Sequence, residues 1–225
     1  LFSSWQNRWR MPFARSRIGA GGWGIFALTM ERVNEIVLCS GNPGKIKEFE
    51  VLMPPGIRVR SLAELGMPLE TGDTLEANAE QKARYVFERT GLPCMADDTG
   101  LEVRVLGGAP GVLSARYAGP AKDAAANMEL LLKNMSGMAD RNARFRTVIA
   151  YVDAQGLQLV EGEVKGRVIE APRGSGGFGY DPVLLPEMSD LTFAELPLEK
   201  KNAVSHRAQA MWRLAQWLDE HHRRR

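Results

Sequence analysis

Two adjacent carboxylates, Asp97 and Asp98, are the first residues in this sequence whose types could do chemistry. They stand in the stretch Ala-Asp-Asp-Thr-Gly at 96–100, after a short apolar run and before an alternating run at 101–105. The pattern predicts a strand, a tight polar turn and a second strand. Like charges this close raise one carboxyl pKa unless a cation neutralises them, and Mg²⁺ usually takes one or two carboxylates. Taken alone, the stretch is more often an ordinary turn, because Asp and Gly favour turns.

A second candidate is the loop Ser-Gly-Asn-Pro-Gly-Lys at 40–45, which follows a short apolar strand and precedes residues with helical spacing. Backbone N–H groups at the start of a helix attract anions. Ser40 and Asn42 add side-chain donors, and Lys45 adds a positive charge for phosphate oxygens. The loop is not a Walker A motif, because that glycine and lysine spacing is absent. The alternative is a helix-capping loop with a solvated lysine.

A third candidate is the glycine-rich loop at 174–182, which carries Phe178 and Tyr180. Glycines let the backbone approach a ligand closely, and an aromatic ring beside backbone donors suits a flat heterocycle. The alternative is a surface loop with one aromatic residue folded inward.

The fourth candidate is the segment Lys-Asn-Ala-Val-Ser-His-Arg at 201–207. Ser205 can cap the last helix, which puts His206 and Arg207 in its first turn. Adjacent cations there oppose the helix dipole, so an acceptor is expected opposite them. The alternative is a solvated basic turn.

The elements that must position these residues predict a layered α/β architecture. A strand, a helix and a strand over 35–62 predict a parallel pair. Asp73 and Glu76 have the spacing of a capping box at the start of the next helix, whose apolar face carries Leu75, Ala79, Ala83 and Val86. Two long extended runs at 143–152 and 157–168 predict an antiparallel hairpin. The last helix is predicted to carry the apolar stripe Val204, Ala208, Met211, Ala215 and Leu218.

Composition narrows the class of protein. The chain has 225 residues, 44% of them apolar, and a net charge of +2. This is enough for one domain with a real core, and the balanced charge argues against a nucleic-acid-binding protein. Two isolated cysteines, Cys39 and Cys94, predict buried thiols in a reducing, cytoplasmic compartment. No apolar run approaches the length that a membrane span needs.

The first 29 residues differ from the rest, because they are rich in Arg and Gly and contain no Asp or Glu. Such leaders can be mitochondrial transit peptides. We expect instead that 1–29 is a disordered or non-native extension without a functional role, that the functional chain starts at Met30, and that 30–225 is a single domain.

Together the candidate segments resemble the inosine triphosphate pyrophosphatase family, and most of all its bacterial branch. The matching blocks follow family order and lie at 40–48, 96–101, 108–119, 176–182 and 201–207. The resemblance runs from about Ile36 to Leu218. It implies a mixed, largely central β-sheet flanked by helices, in two lobes with an active-site cleft between them. It also implies Mg²⁺-dependent hydrolysis of ITP, dITP and XTP to the monophosphate and pyrophosphate, by a homodimer.

The resemblance also assigns roles to residues. It makes Asp98 the general base and a metal ligand, with Asp97 as its support. Triphosphate contacts fall to Ser40, Gly41, Asn42, Pro43, Gly44 and Lys45, of which Lys45 is also catalytic. Nucleotide contacts fall to Thr99, Phe178, Gly179, Tyr180, Asp181 and Lys201, with His206 and Arg207 facing the base. Glu70 and Glu76 are both candidates for a second acidic metal ligand.

Hydrogen-bond polarity predicts the selectivity of such a site. Donors from Arg207 or from backbone N–H groups would satisfy the O6 atom of hypoxanthine or xanthine and would face the amino group of adenine unfavourably. Two other functions stay open: a pyrophosphatase for other modified nucleotides, and a nucleotide sensor without turnover.

Overall fold

The computed structural model describes residues 35–53, 58–61, 66 and 68–223. The predicted extension at 1–29 lies outside these residues. The strands are β1 (Glu35–Cys39), β2 (Arg58–Ser61), β3 (Cys94–Val103), β4 (Asn142–Asp153), β5 (Gly156–Val168) and β6 (Leu184–Pro186). The helices are α1 (Pro43–Leu52), α2 (Leu75–Thr90), α3 (Ala124–Asn134), α4 (Leu198–Val204) and α5 (His206–Arg223), with short 3₁₀ turns at Arg104–Leu106 and Gly111–Arg116.

The strands of the described part form one mixed sheet in the order β2-β1-β3-β4-β5-β6. β1 pairs in parallel with β2 and β3, and the remaining pairings are antiparallel. This confirms the predicted mixed α/β sheet, its parallel pair and its long hairpin. No helix in the described ranges is long and apolar enough to cross a membrane.

Helices cover both faces of the sheet because β1 is apolar on both sides. Ile36 and Leu38 pack with residues of α1 and α5, such as Phe49 and Leu214. The alternate β1 residues pack with α2 on the other face. Both cysteines lie in that second cluster as buried free thiols, and burial raises the pKa of Cys39 to about 11.

The predicted turn at 96–100 is wrong, because β3 continues without a break from Cys94 to Val103. β3 pairs with β4 along the whole length of β3, from Cys94 opposite Val152 to Val103 opposite Ala143. This ladder satisfies the backbone of the polar residues, so their turn propensity is overridden.

Two helix boundaries also differ from the sequence prediction. Thr74, one residue after the predicted Asp73, is the N-cap of α2, and its Oγ1 accepts from the backbone N–H of Ala77 over 3.1 Å. Val204 ends α4 rather than beginning the last helix. Ser205 adopts an extended conformation between the two helices, and its Oγ accepts from the N–H of Ala208, as predicted for a cap.

Candidate active site

The two carboxylates lie where β3 extends beyond β1. The β1–β3 pairing ends with Cys39 opposite Ala96, so Asp97 and Asp98 stand beside the loop that follows β1. Successive side chains of a strand point to opposite faces of the sheet. Asp97 therefore shares a face with α1 and α5, and Asp98 shares a face with α2.

On the α2 face, Asp98 joins Asn78, Lys82 and Glu70 in a group that we call the Asp98 cluster. Lys82 Nζ donates to Asp98 Oδ1 over 3.1 Å and to Glu70 Oε1 over 2.9 Å. Asn78 Nδ2 donates to Asp98 Oδ2 over 3.2 Å. The Asp98 side chain keeps 10% of its surface exposed. One ammonium thus joins two carboxylates, and the Glu70 side chain is 21% exposed.

The α2 helix brings Asn78 and Lys82 to Asp98 because these residues are one turn apart and lie on its buried side. They are 1% and 3% exposed. Burial alone would lower the pKa of Lys82, but the carboxylates of Asp98, Asp97 and Glu70 raise it to about 12. Sequence reasoning did not assign these two residues a role. The available signal was two polar residues within an otherwise apolar helical stripe.

The structure separates the two acids that the sequence left as alternatives. Glu70 contacts Lys82 and also accepts from Arg116 Nη1 over 3.2 Å. Burial raises the pKa of Glu70, but the charge and hydrogen bond of Lys82 outweigh burial and lower it. Glu76 instead pairs with Arg146, which also binds Glu161 over 2.6 Å. Only the first of these acids belongs to the Asp98 cluster.

On the opposite face, three acids and three cations form what we call the Asp97 cluster: Asp97, Glu48, Asp181, Lys45, Lys201 and Arg207. Lys45 Nζ lies 3.0 Å from Asp97 Oδ2, and Arg207 Nη2 lies 3.2 Å from the same oxygen. Burial opposes ionisation of Asp97, but Lys45, Arg207 and Lys82 hold its pKa well below the ordinary value. Asp97 is therefore a structural carboxylate between fixed cations.

Glu48 links the two halves of the Asp97 cluster. It pairs with Arg207 and lies 2.6 Å from Lys201 Nζ, which is 2.5 Å from Asp181 Oδ2. Glu48 lies in α1 and is 2% exposed. Sequence reasoning missed it, because its partner Arg207 lies 159 residues away along the chain.

The loop at 40–45 packs against the glycine-rich loop. Asn42 Oδ1 accepts from the N–H groups of Gly44 and Lys45 over 2.9 and 3.2 Å, so it caps α1. Pro43 is the first residue of that helix and Ser40 Oγ accepts from the N–H of Asn42. A Cβ atom on Gly44 would lie 2.5 Å from the Phe178 ring, so only glycine allows this approach.

Of the aromatic side chains predicted to bind the nucleotide, that of Phe178 lies near the Asp97 cluster and that of Tyr180 does not. Phe178 lies with the Asp97 cluster, since Lys201 Nζ is 4.9 Å from its ring and its N–H donates to Asp181 Oδ2 over 2.7 Å. Gly179 follows it with φ of 61°. Tyr180 points into the core, where its hydroxyl donates to Ser114 O over 3.0 Å. The structure therefore does not bring the Tyr180 side chain to the carboxylates.

His206 and Thr99 contact each other through Thr147. Thr99 Oγ1 lies 2.7 Å from Thr147 Oγ1, which lies 2.6 Å from His206 Nδ1. His206 is 3% exposed and Arg207 is fully buried. Arg207 donates to Glu48, Asp97 and Thr99. Its predicted contact with a base stays a prediction.

The donor set of the Asp98 cluster fits a hard divalent cation. The described residues contain no group of three or more His, Cys, Asp or Glu side chains placed to hold a metal. Mg²⁺ needs only one or two carboxylates, with water and phosphate oxygens at its other positions. Asp98 and Glu70 both lie within 3.1 Å of the single Lys82 ammonium, so they are close enough to share one cation.

Comparison with known proteins identifies the family of the chain. The Ham1 family matches residues 36–217. A dITP/XTP pyrophosphatase of Porphyromonas gingivalis is 46% identical over 191 residues, which is 83% of this chain and 98% of that protein. A dITP/XTP pyrophosphatase of Bacillus licheniformis is 45% identical, over 84% of this chain and 100% of that protein.

Solved structures give the same result for the fold. The Ham1 protein of Staphylococcus aureus superposes with a TM-score of 0.75 at 38% identity, covering 83% of this chain and 99% of that one. A HAM1 protein from Coxiella burnetii gives a TM-score of 0.75 at 39% identity, over 83% of this chain and 98% of its own. These matches confirm the resemblance inferred from the motifs, and this chain belongs to the Ham1 family.

Proposed function

We propose that this protein hydrolyses non-standard purine nucleoside triphosphates, namely ITP, dITP and XTP, to the monophosphate and pyrophosphate. The observation that carries the proposal is the Asp98 cluster, where a carboxylate that is 10% exposed contacts the ammonium of Lys82, just past the end of the β1–β3 pairing. Relatives at about 45% identity that are named dITP/XTP pyrophosphatases support the substrate class. Their match covers more than four fifths of this chain.

Asp98 is the proposed base for the attacking water. Water attacks the α-phosphorus, the bond from that phosphorus to the bridging oxygen breaks, and pyrophosphate leaves. Asp98 orients the water and accepts its proton, which contributes about 10²–10⁴-fold. Asn78 and Lys82 hold the carboxylate in place through its two oxygens.

Asp98 and Glu70 are the residues that would hold Mg²⁺. When bound, the ion offsets the negative charge of the phosphates and of the leaving pyrophosphate. Lys45, at the start of α1 and 14% exposed in its side chain, would add positive charge near the phosphates. The charge of the site thereby favours a polyanion over a neutral ligand.

The base is proposed to lie by Phe178, His206 and the Asp97 cluster, as the family resemblance implies. We also propose a cytoplasmic homodimer without nucleic-acid partners. Sedimentation analysis tests the dimer directly.

The test of the function is pyrophosphate release from ITP, XTP, GTP and ATP with Mg²⁺, for the wild type and for Asp98→Asn. We expect fast release from ITP and XTP, slow release from GTP and ATP, and a loss of about 10²–10⁴-fold in Asp98→Asn. Asp140→Asn is the matched control, because Asp140 is paired with Arg104 on the surface. Equal rates on all four nucleotides contradict the substrate class. Binding of ITP without turnover would instead favour a sensor.

A further inference from the structure

A chain of hydrogen bonds runs from Asp97 to His206 through two threonines. Thr99 and Thr147 face each other directly in the β3–β4 ladder, and their hydroxyl oxygens are 2.7 Å apart. Thr99 Oγ1 is 3.0 Å from Asp97 Oδ2, and Thr147 Oγ1 is 2.6 Å from His206 Nδ1. Because each hydroxyl has one proton and two lone pairs, the positions of these protons can be worked out.

The contacts at Asp97 determine the direction of donation along this series of hydrogen bonds. Arg207 Nη2 lies 3.1 Å from Thr99 Oγ1. A guanidinium group only donates, so this contact uses one lone pair of Thr99. Asp97 is ion-paired with Lys45 and Arg207, so its carboxylate only accepts. The single hydroxyl proton of Thr99 must therefore point at Asp97, since otherwise two oxygens would face each other without a proton.

The same counting fixes the other two bonds. The remaining lone pair of Thr99 accepts the hydroxyl proton of Thr147. Thr147 then has no proton left for His206, so its oxygen accepts from the Nδ1–H group of the imidazole. Any other arrangement leaves one of these short contacts as a lone pair facing a lone pair, which is costly in a buried site.

His206 is neutral in this environment. Burial, together with the charges of Arg207 and Lys201, holds the pKa of His206 well below its ordinary value. The Phe145 ring, whose centroid is 4.9 Å from that of the imidazole, adds an apolar wall. A neutral imidazole with its proton on Nδ1 carries a lone pair on Nε2, so this atom is a hydrogen-bond acceptor.

We propose that Thr147 is a positioning residue that fixes His206 in the Nδ1–H tautomer, so that Nε2 accepts a hydrogen bond from N1–H of a 6-keto purine. This inference rests on the proposed function. Hypoxanthine and xanthine carry a proton on N1, whereas adenine has a lone pair there. Adenine would place two lone pairs against each other at His206, so the relay disfavours ATP.

The first test is the tautomer itself, read by nitrogen NMR of histidine-labelled protein. The chain has three histidines, and His221→Gln with His222→Gln leaves His206 as the single imidazole. Nε2 couples to both ring C–H protons and Nδ1 to one, so the spectrum identifies the unprotonated nitrogen. We expect the unprotonated nitrogen to be Nε2. A proton on Nε2 would overturn the relay.

The second test is the ratio of kcat/KM for ITP to that for ATP. Thr147→Val keeps the β-branched shape and removes the hydroxyl, and we expect the ratio to fall roughly tenfold, as for one misdirected hydrogen bond. Thr147→Ser restores a hydroxyl and is expected to restore both the ratio and the wild-type NMR pattern. A Thr147→Val enzyme with an unchanged ratio would overturn the role in selectivity.

The two tests separate this inference from the proposed function. If the wild type hydrolyses none of the nucleotides, the proposed function fails, while the NMR spectrum still decides the tautomer. If Thr147→Val does not fold, the wild-type spectrum and the kcat/KM ratio of Thr147→Ser still decide the proposal. A Thr147→Ser enzyme that folds but has a lower ratio of ITP to ATP hydrolysis contradicts it.

Discussion

Asp97 and Asp98 are neighbours in the sequence, but they lie in two different electrostatic environments. Asp97 is 1% exposed and lies against the cations of Lys45 and Arg207. Asp98 is 7% exposed and contacts one ammonium group and one amide. A single step along a strand reverses the side-chain direction, which is enough to assign the two carboxylates to opposite faces.

The two clusters also differ in charge balance. The Asp97 cluster contains three carboxylates and three cations that pair with one another. The Asp98 cluster contains two carboxylates around the single ammonium of Lys82, before the partly exposed Arg116 is counted. The balanced pairing of the Asp97 cluster holds its side chains in fixed positions. A cluster with excess negative charge suits a metal ion.

The largest expected effect that distinguishes the clusters is on stability. Asp97→Asn leaves the buried Arg207 and the partly exposed Lys45 short of a counter-charge, and breaking a buried pair costs about 3–5 kcal/mol. Asp98→Asn keeps an acceptor for Lys82 at a partly open site, so we expect a much smaller loss. Urea unfolding of both variants measures the difference. Equal losses would mean that the two carboxylates share one structural role.

The next effect concerns metal dependence. Glu70→Gln removes one of the two carboxylates of the Asp98 cluster, and we expect the Mg²⁺ concentration for half-maximal activity to rise roughly tenfold or more. Glu76→Gln is the matched control. It removes an exposed partner of Arg146, which costs about 0–1 kcal/mol and leaves the Mg²⁺ requirement unchanged. If Glu76→Gln raises the Mg²⁺ requirement and Glu70→Gln does not, Glu76 is the second metal ligand.

The smallest effect is a change in acid sensitivity. Because the folded-state pKa of Asp97 is depressed, its contribution to stability is complete above the ordinary carboxyl pKa of about 3.9. It is lost as pH falls towards the lower folded-state value, by about 1.4 kcal/mol per pH unit for one proton. We therefore expect the gap in unfolding free energy between wild type and Asp97→Asn to stay constant above about pH 5 and to shrink steadily as the pH falls below about 4. A constant gap would show that Asp97 is not held ionised by its cations.

Local pattern was enough to locate most of the elements and the segments that carry the site. The apolar periods gave the strands β1, β4 and β5 and the stripe of α2, since burial repeats every two or 3.6 residues along the chain. The loops 40–45 and 174–182 were identified because clustered glycines usually mark a turn or a close approach of the backbone to another group. Gly44 against Phe178 is one such approach.

Local sequence pattern did not predict the features that depend on a residue distant in the sequence. Asp, Thr and Gly at 97–100 favour a turn on their own, but the β4 ladder holds them in a strand. Lys82 and Glu48 look like solvated helix residues until their partners, which are distant in sequence, surround them. The sequence likewise could not choose between Glu70 and Glu76, because the choice depends on which acid reaches Lys82.

The sequence by itself determined the α/β class, the order of the elements and the family, because these depend on local periodicity and on short contiguous motifs. The tertiary structure alone decided that Asp97 and Asp98 face opposite ways, that Glu70 joins Asp98, and that Thr147 connects Thr99 to His206. The physical reason is that ion pairs and hydrogen bonds act over about 3 Å in space, while their partners lie tens of residues apart in the chain.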